Sequence, residues 1–199
     1  MTLGTTRHLA STILVAGTLC ACVLVLSGCI PLVIGGVAAT AAVATDRRTT
    51  GAQLDDELIE DKTTAELLER YKGREVHLNV TSFNGIVLLT GEAPTEDVKL
   101  EIENVARRMP KVRSVQNEMV VGPATDLGSR SNDTFITSKV KARFVDEGKF
   151  NAVHVKVVTE ASVVYLLGLV KRKEADDAVE ITRTTSGVQK VVKLFEYID

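Results

Sequence analysis

Two rhythms of apolar residues follow each other twice along the chain after residue 50. Short runs rich in Val, Leu and Ile read as strands: Val76-His77-Leu78-Asn79-Val80, then Ile86-Val87-Leu88-Leu89-Thr90-Gly91. Their counterparts are Val153-His154-Val155-Lys156-Val157 and Val163-Val164-Tyr165-Leu166-Leu167-Gly168, each displaced by 77 residues. Val112-Arg113-Ser114-Val115 matches Val188-Gln189-Lys190-Val191 at a displacement of 76, so one residue is lost between helix and strand. Three blocks in one order at nearly constant spacing mark an internal duplication.

Helical periodicity frames these runs. The first repeat opens with Leu54, Leu58, Ala65 and Leu68 as the expected inner stripe, the second with Ile136, Val140 and Phe144. Asn84-Gly85 predicts a tight hairpin, because both residues tolerate positive φ; Glu160-Ala161-Ser162 in the second repeat specifies its turn less well. A second helix opens at Pro94 with Val98, Ile102, Val105 and Met109 inward; its counterpart covers residues 173–184 with Ala175, Ala178 and Ile181 inward. Residues 115–121 and 188–198 are the closing strands. A right-handed strand–helix–strand crossover places each closing strand parallel to the one before the helix. The fold class is therefore α+β: two tandem αββαβ units, each a three-stranded mixed sheet packed on two helices. Each unit of about 70 residues is near the lower limit for a self-sufficient core.

The first 50 residues follow a different pattern. A short basic segment (Arg7, His8) precedes an apolar run over residues 9–26 and the sequence Leu26-Ser27-Gly28-Cys29, the layout of a bacterial secretory signal. Small residues directly before a cysteine resemble the lipobox of bacterial lipoproteins. That resemblance implies a diacylglycerol on Cys29, cleavage before it and acylation of the new amine. The other reading is an uncleaved apolar helix continuing to about residue 44, but Gly28, Pro31, Gly35 and Gly36 interrupt the roughly 20 helical residues a span requires. A cut before Cys22 fits less well. Ile30, rather than Asp, implies export to the outer membrane under the rule known for enteric bacteria. The expected organisation is a signal peptide at 1–28, a lipidated N-terminus and linker at 29–50, repeats at 51–121 and 131–199, and a Gly/Pro/Ser linker at 122–130.

Composition narrows the chemistry. All three cysteines lie within the first 29 residues, so the repeats contain neither a disulfide nor a Cys-based metal site. Cleavage before Cys29 removes Arg7 and no acid, taking the 24 basic residues to 23 against 26 acidic ones, a net charge of −3. That balance and the absence of Trp argue against nucleic acid as a partner. No Ser/His/Asp arrangement or Gly-rich phosphate loop is present, so no catalytic residues and no cofactor are expected. His77 and His154 are explained by descent from one repeat. Neither has a second His or Cys nearby in sequence, so no metal site is expected.

The repeat pattern, with strands ending in Leu-Leu-Thr-Gly or Leu-Leu-Gly and a Val-x-x-Val step into the last strand, resembles the BON domain. Two such units behind a lipobox are similar to the dual-BON outer-membrane lipoproteins of Gram-negative bacteria. The second repeat carries the closer match, from Ser131-Asn132-Asp133-Thr134-Phe135-Ile136-Thr137 to Leu167-Gly168-Leu169-Val170. It departs at Ala161-Ser162, where the family has Asn-Gly, and at Phe135, where it has Trp. The resemblance implies a non-enzymatic, lipid-anchored protein on the periplasmic face of the outer membrane. It also implies a role in envelope integrity, with binding of anionic phospholipid (phosphatidylglycerol, cardiolipin) through the first helix of the second repeat. A second reading is an accessory to outer-membrane assembly proteins, with lipid contact incidental.

Charge separates the two first helices. In the first repeat Asp55, Asp56, Glu57, Glu60, Asp61, Glu66 and Glu69 face only Lys62 and Arg70, a helix an anionic bilayer repels. In the second, at about 100° per residue, Phe135, Ser138, Ala142 and Val145 share one side, with Lys139 and Lys141 at its edges. An apolar patch flanked by lysines is the pattern of an interfacial helix. The competing reading packs Phe135 against the first repeat and leaves the lysines as solvated surface. Arg107, Arg108, Lys111 and Arg113 form a basic cluster suited to a helix C-terminus, or to phospholipid or an acidic partner. Open strand edges could also accept a partner's strand.

Overall fold

Helix α1 (Thr50–Arg70) starts where the Thr49 hydroxyl accepts the Ala52 N–H, a cap that satisfies an otherwise orphaned donor. The computed structural model describes residues 46–199; Cys29, the segment before it and residues 30–45 lie outside the described residues. Strands β1 (His77–Phe83) and β2 (Ile86–Ala93) form the expected antiparallel hairpin, followed by helix α2 (Glu96–Arg107). Thr95 caps α2, so Pro94 stands before the cap and not at the first helical position. The closing strand is divided into β3 (Ser114–Asn117) and β4 (Val120–Val121), both parallel to β2. At the break the Asn117 side chain accepts the Met119 N–H while Met119 is buried.

The inner face of α1 lies on the side of the helix opposite the expected one. Leu54, Leu58, Ala65 and Leu68 are exposed, and Asp56, Ile59, Thr63 and Leu67 are buried. The Asp56 carboxylate sets this phase. It accepts the N–H groups of Asn84 (2.6 Å) and Gly85 (2.8 Å) and the Ser82 hydroxyl (2.6 Å), fastening the helix to the hairpin turn.

The second repeat obeys the same plan. Helix α3 (Leu127–Glu147) begins within the segment read as a linker, because Asp126 accepts the Ser129 N–H as its cap. It buries Asp133, Ile136, Val140 and Phe144, which lie 77 positions after Asp56, Ile59, Thr63 and Leu67. A single 3-10 turn (Ala152–His154) leads into β5 (Val155–Glu160) and β6 (Val163–Val170). Helix α4 (Arg172–Arg183) and β7 (Lys190–Tyr197) complete the repeat, with strand order β5-β6-β7. Ala161 (φ 48°) and Ser162 (φ 63°) adopt the same left-handed pair as Asn84 and Gly85. The Asp133 carboxylate holds them there by accepting both N–H groups at 2.9 and 2.8 Å. Gly91 and Gly168 are required by close approach, since a Cβ at either would meet the carbonyl of His77 or His154.

Alternation along β2 and β6 explains how the repeats are joined. Val87 and Leu89 point to the helices of the first repeat, and Val164 and Leu166 to those of the second. Leu88, Tyr165 and Leu167 point the opposite way and, with Phe83, form a third buried cluster between the two sheets. Strands apolar on both faces need cover on both, and each sheet covers the other. Burial pushes the Tyr165 hydroxyl up to about 12, with Glu118 and Glu160 adding to the shift. Polar pins surround this cluster: Lys156 to Glu60 (2.6 Å), Arg113 to Glu196 (2.7 Å) and Asn84 to Glu196 (2.7 Å).

Two adjacent arginines fasten the entering chain to both repeats. Arg47 pairs with Glu174 of α4 (2.6 Å) and donates to the Leu169 carbonyl, while Arg48 pairs with Asp56 (2.9 Å) and lies over the Phe83 ring. The Arg47 hydrogen bonds hold the Glu174 carboxyl down at about 2. A depressed carboxylate stabilises the fold above its ordinary value of 4.5, and the contribution disappears as pH falls through about 2. Arg47→Ala is therefore expected to lower the melting temperature at pH 7, with the gap to wild type closing between pH 4.5 and pH 2. A pH-independent gap in thermal melts would show that Arg47 acts by other contacts.

Candidate functional site

Helix α3 presents the two faces its sequence suggested. Ile136, Val140 and Phe144 anchor it in the core, where Phe144 meets Phe150 edge-on with ring centroids 4.9 Å apart. On the opposite side Phe135 is 61% exposed and Val145 69% exposed, with Ser138 and Ala142 exposed between them. Phe135 is part of none of the buried hydrophobic clusters among the described residues, including the one between the two sheets.

The stripe is longer than the sequence suggested. Leu127, assigned to the linker, is the first residue of α3 and is 77% exposed. At about 100° per residue Leu127, Ser138 and Val145 align, and Phe135 and Ala142 lie within about 80° of them. From Leu127 to Val145 the stripe runs about 27 Å at 1.5 Å per residue. The Asp126 cap signal was present in the sequence and marks this extension.

The lysines and arginines of α3 divide into structural and available groups. Lys139 donates to the Ser186 carbonyl and stands 4.7 Å from the centre of the Phe135 ring, where it braces that side chain. Arg143 is committed to the Ile181 carbonyl, the Thr184 and Thr185 hydroxyls and Glu147. Lysine and arginine bonds hold the Glu147 carboxyl below the usual range, led by Lys149. Lys141 is exposed on the other flank of the stripe. It and Ser138 border a cleft of about 550 Å³ between α3 and strands β1 and β5, which Arg130, His77 and Glu160 also line. The lysines thus flank the apolar stripe on both sides, one anchored and one open to solvent.

The basic cluster of the first repeat is largely consumed internally. Arg107 pairs with Glu103 along α2, Arg113 with Glu196 of the second repeat, and Lys111 lies 3.8 Å from Asp55. Among the described residues no helix is long and apolar enough to cross a membrane.

Residues 55–123 and 132–199 each match the family model of the BON domain, and together they make up well over half of the chain. The chain is a member of the BON-domain family, with two copies of the domain. Over 175 residues it is 41% identical to "Outer membrane lipoprotein DolP" of Haemophilus influenzae, spanning 87% of this chain and 91% of that relative. It is 34% identical to the "21 kDa hemolysin" of Actinobacillus pleuropneumoniae over 77% of this chain and 79% of the relative. "Osmotically-inducible protein Y" of Escherichia coli K12 is 28% identical over 71% of this chain and 72% of its own.

Proposed function

We propose that the chain is a non-enzymatic outer-membrane lipoprotein that binds anionic phospholipid through α3 and supports envelope integrity. Cys29 carries the acyl anchor, and the two BON domains stand on the periplasmic face. The likeness to an outer-membrane lipoprotein over most of both chains supports the location. The observation that carries the lipid reading is the exposed stripe containing Leu127, Phe135 and Val145, with Lys141 and Lys139 on its flanks. Ser138 and Ala142 are small residues that let the helix lie close to the headgroups.

Magnitudes define what the stripe does. Burying Phe135 contributes roughly 2 kcal/mol, and each lysine near an anionic surface about 1 kcal/mol. The resulting contact is weak and reversible. Acyl chains, at about 0.8 kcal/mol per buried CH₂, hold the protein in place without it. The stripe therefore selects which lipid surface the tethered domains rest on, at the high local concentration that tethering provides.

Vesicle co-sedimentation of the Cys29→Ser chain, which lacks the anchor, tests this. Phosphatidylglycerol or cardiolipin vesicles are expected to bind the Cys29→Ser chain and to lose at least about 100-fold in affinity when Phe135→Glu and Lys141→Glu are added. Both positions are exposed, so circular dichroism should be unchanged. Equal binding by the two proteins would rule out the lipid reading. Retained envelope function in the same variant would then favour the assembly-accessory role.

A further inference from the structure

At the seam between the two domains, one imidazole faces two buried carboxylates. His77 and Glu92 are direct cross-strand partners in the β1–β2 hairpin, with Nδ1 and Oε2 3.0 Å apart. Glu160, the last residue of β5, brings Oε1 to 3.7 Å from the same nitrogen. One donor atom from each residue lies within 4.8 Å of the other two. We infer that His77, Glu92 and Glu160 form a binding site for a divalent metal ion of the zinc type, which joins the two domains.

Four observations converge on this assignment. The first is the donor set. One imidazole nitrogen and two carboxylate oxygens suit a borderline cation that leaves a fourth position open. Tetrahedral bonds of about 2.0–2.1 Å place donors about 3.3 Å apart, so the existing spacings need adjustments of an ångström or so.

The second is the surroundings of the ligands. Glu160 Oε2 accepts from the Asn79 amide (2.7 Å) and the Thr90 hydroxyl (3.2 Å), which leaves Oε1 turned to His77. Glu92 accepts from the Thr125 N–H at 3.1 Å and its hydroxyl at 3.3 Å. Such outer contacts orient the ligands of a metal site.

Charge is the third. The carboxylate side chains are 8% and 9% exposed, and among the described residues their ion-pair partner is this one imidazole. Arg130 lines the same cleft, but its guanidinium donates to the Thr125 carbonyl. Two buried carboxylates against one imidazole leave excess negative charge, which a dication neutralises.

The fourth is access and origin. His77 and Glu160 line the open cleft of about 550 Å³ beside α3, which gives an ion a way in and a water a place at the fourth position. Descent accounts for the repeated histidines but not for the acids. The counterpart of Glu92 is Leu169 and that of Glu160 is Phe83, so the three groups meet only through the packing of the domains. The expectation of no metal rested on the lack of a second His or Cys nearby in sequence. The fold supplies carboxylates from two other strands.

Isothermal titration of the detergent-purified full chain with Zn²⁺ tests the site. One ion per chain is expected at micromolar affinity or tighter. Glu160→Gln, which retains an acceptor for Asn79 and Thr90, should weaken binding at least tenfold, as should Glu92→Gln. His154→Gln should leave it unchanged. Should the glutamine variants unfold, Co²⁺ absorption of the wild-type chain provides a separate reading, with intense visible bands expected from a four-coordinate site. Absence of Zn²⁺ binding by the folded wild-type chain would overturn the assignment. So would equal binding by folded Glu92→Gln and Glu160→Gln proteins.

Discussion

Asp56→Ala is expected to destabilise the protein by about 3–5 kcal/mol, the scale for breaking one side of a buried charged pair. The carboxylate is almost fully buried and accepts the Ser82 hydroxyl and the Asn84 and Gly85 N–H groups, while Arg48 donates to it at 2.9 Å. Truncation strands two backbone donors and takes from the Arg48 guanidinium one of its two carboxylate partners, leaving Asp46 at 2.8 Å. Each stranded buried group costs about 1–3 kcal/mol. Asp133→Ala removes the equivalent clamp on Ala161 and Ser162, where no arginine pairs with the carboxylate among the described residues. Its expected cost is smaller, about 2 kcal/mol. Urea denaturation of the two variants measures the difference. Equal losses would show that Arg48 adds nothing to the first clamp.

That same aspartate explains the main misreading of the sequence. Apolar periodicity chose Leu54, Leu58 and Leu68 for the inner face of α1, because the true face contains Asp56 and Thr63. A stripe in which two of four positions are polar does not stand out by hydrophobicity. In α3 the equivalent stripe has three apolar positions out of four, and it was legible at Ile136, Val140 and Phe144. The repeat displacement already contained the correction, since Asp133 lies 77 residues after Asp56. Strands, hairpins and the parallel crossover were legible because period-two runs and turn residues are local signals. The exposed stripe of α3 was legible from Phe135 to Val145, and its extension to Leu127 was hidden only by a linker-like composition. Sheet-on-sheet packing was harder to read. The runs at 86–89 and 163–167 announce burial on both faces without naming what covers the second. The hairpin turning at Asn84-Gly85 already sets His77 opposite Glu92, but Glu160 joins them only through that packing, which no spacing along the chain reveals.

Two neighbouring residues on β2 separate the stability of a domain from the joining of domains. Val87 points into the core of the first BON domain with Ile102 and Val105, while Leu88 points into the cluster with Phe83, Tyr165 and Leu167. Both are fully buried. An aspartate at either position places an unpaired charge among apolar side chains, at a cost of several kcal/mol. The escape routes differ. Val87→Asp can hydrate its charge only by opening the core of the domain itself. It is expected to remove about half of the helical circular dichroism of the two domains, because the first contains two of the four α-helices among the described residues. Leu88→Asp can hydrate its charge by parting the two sheets, since each sheet retains its own helices on the other face. It is expected to keep nearly all of the circular dichroism while raising the radius of gyration in small-angle scattering. Parting the sheets also carries Glu160 away from His77 and Glu92, so the Leu88→Asp protein should lose Zn²⁺ binding while remaining folded. If Leu88→Asp unfolds the first domain as fully as Val87→Asp, the sheet contact is part of one indivisible core and the domains have no separate stability.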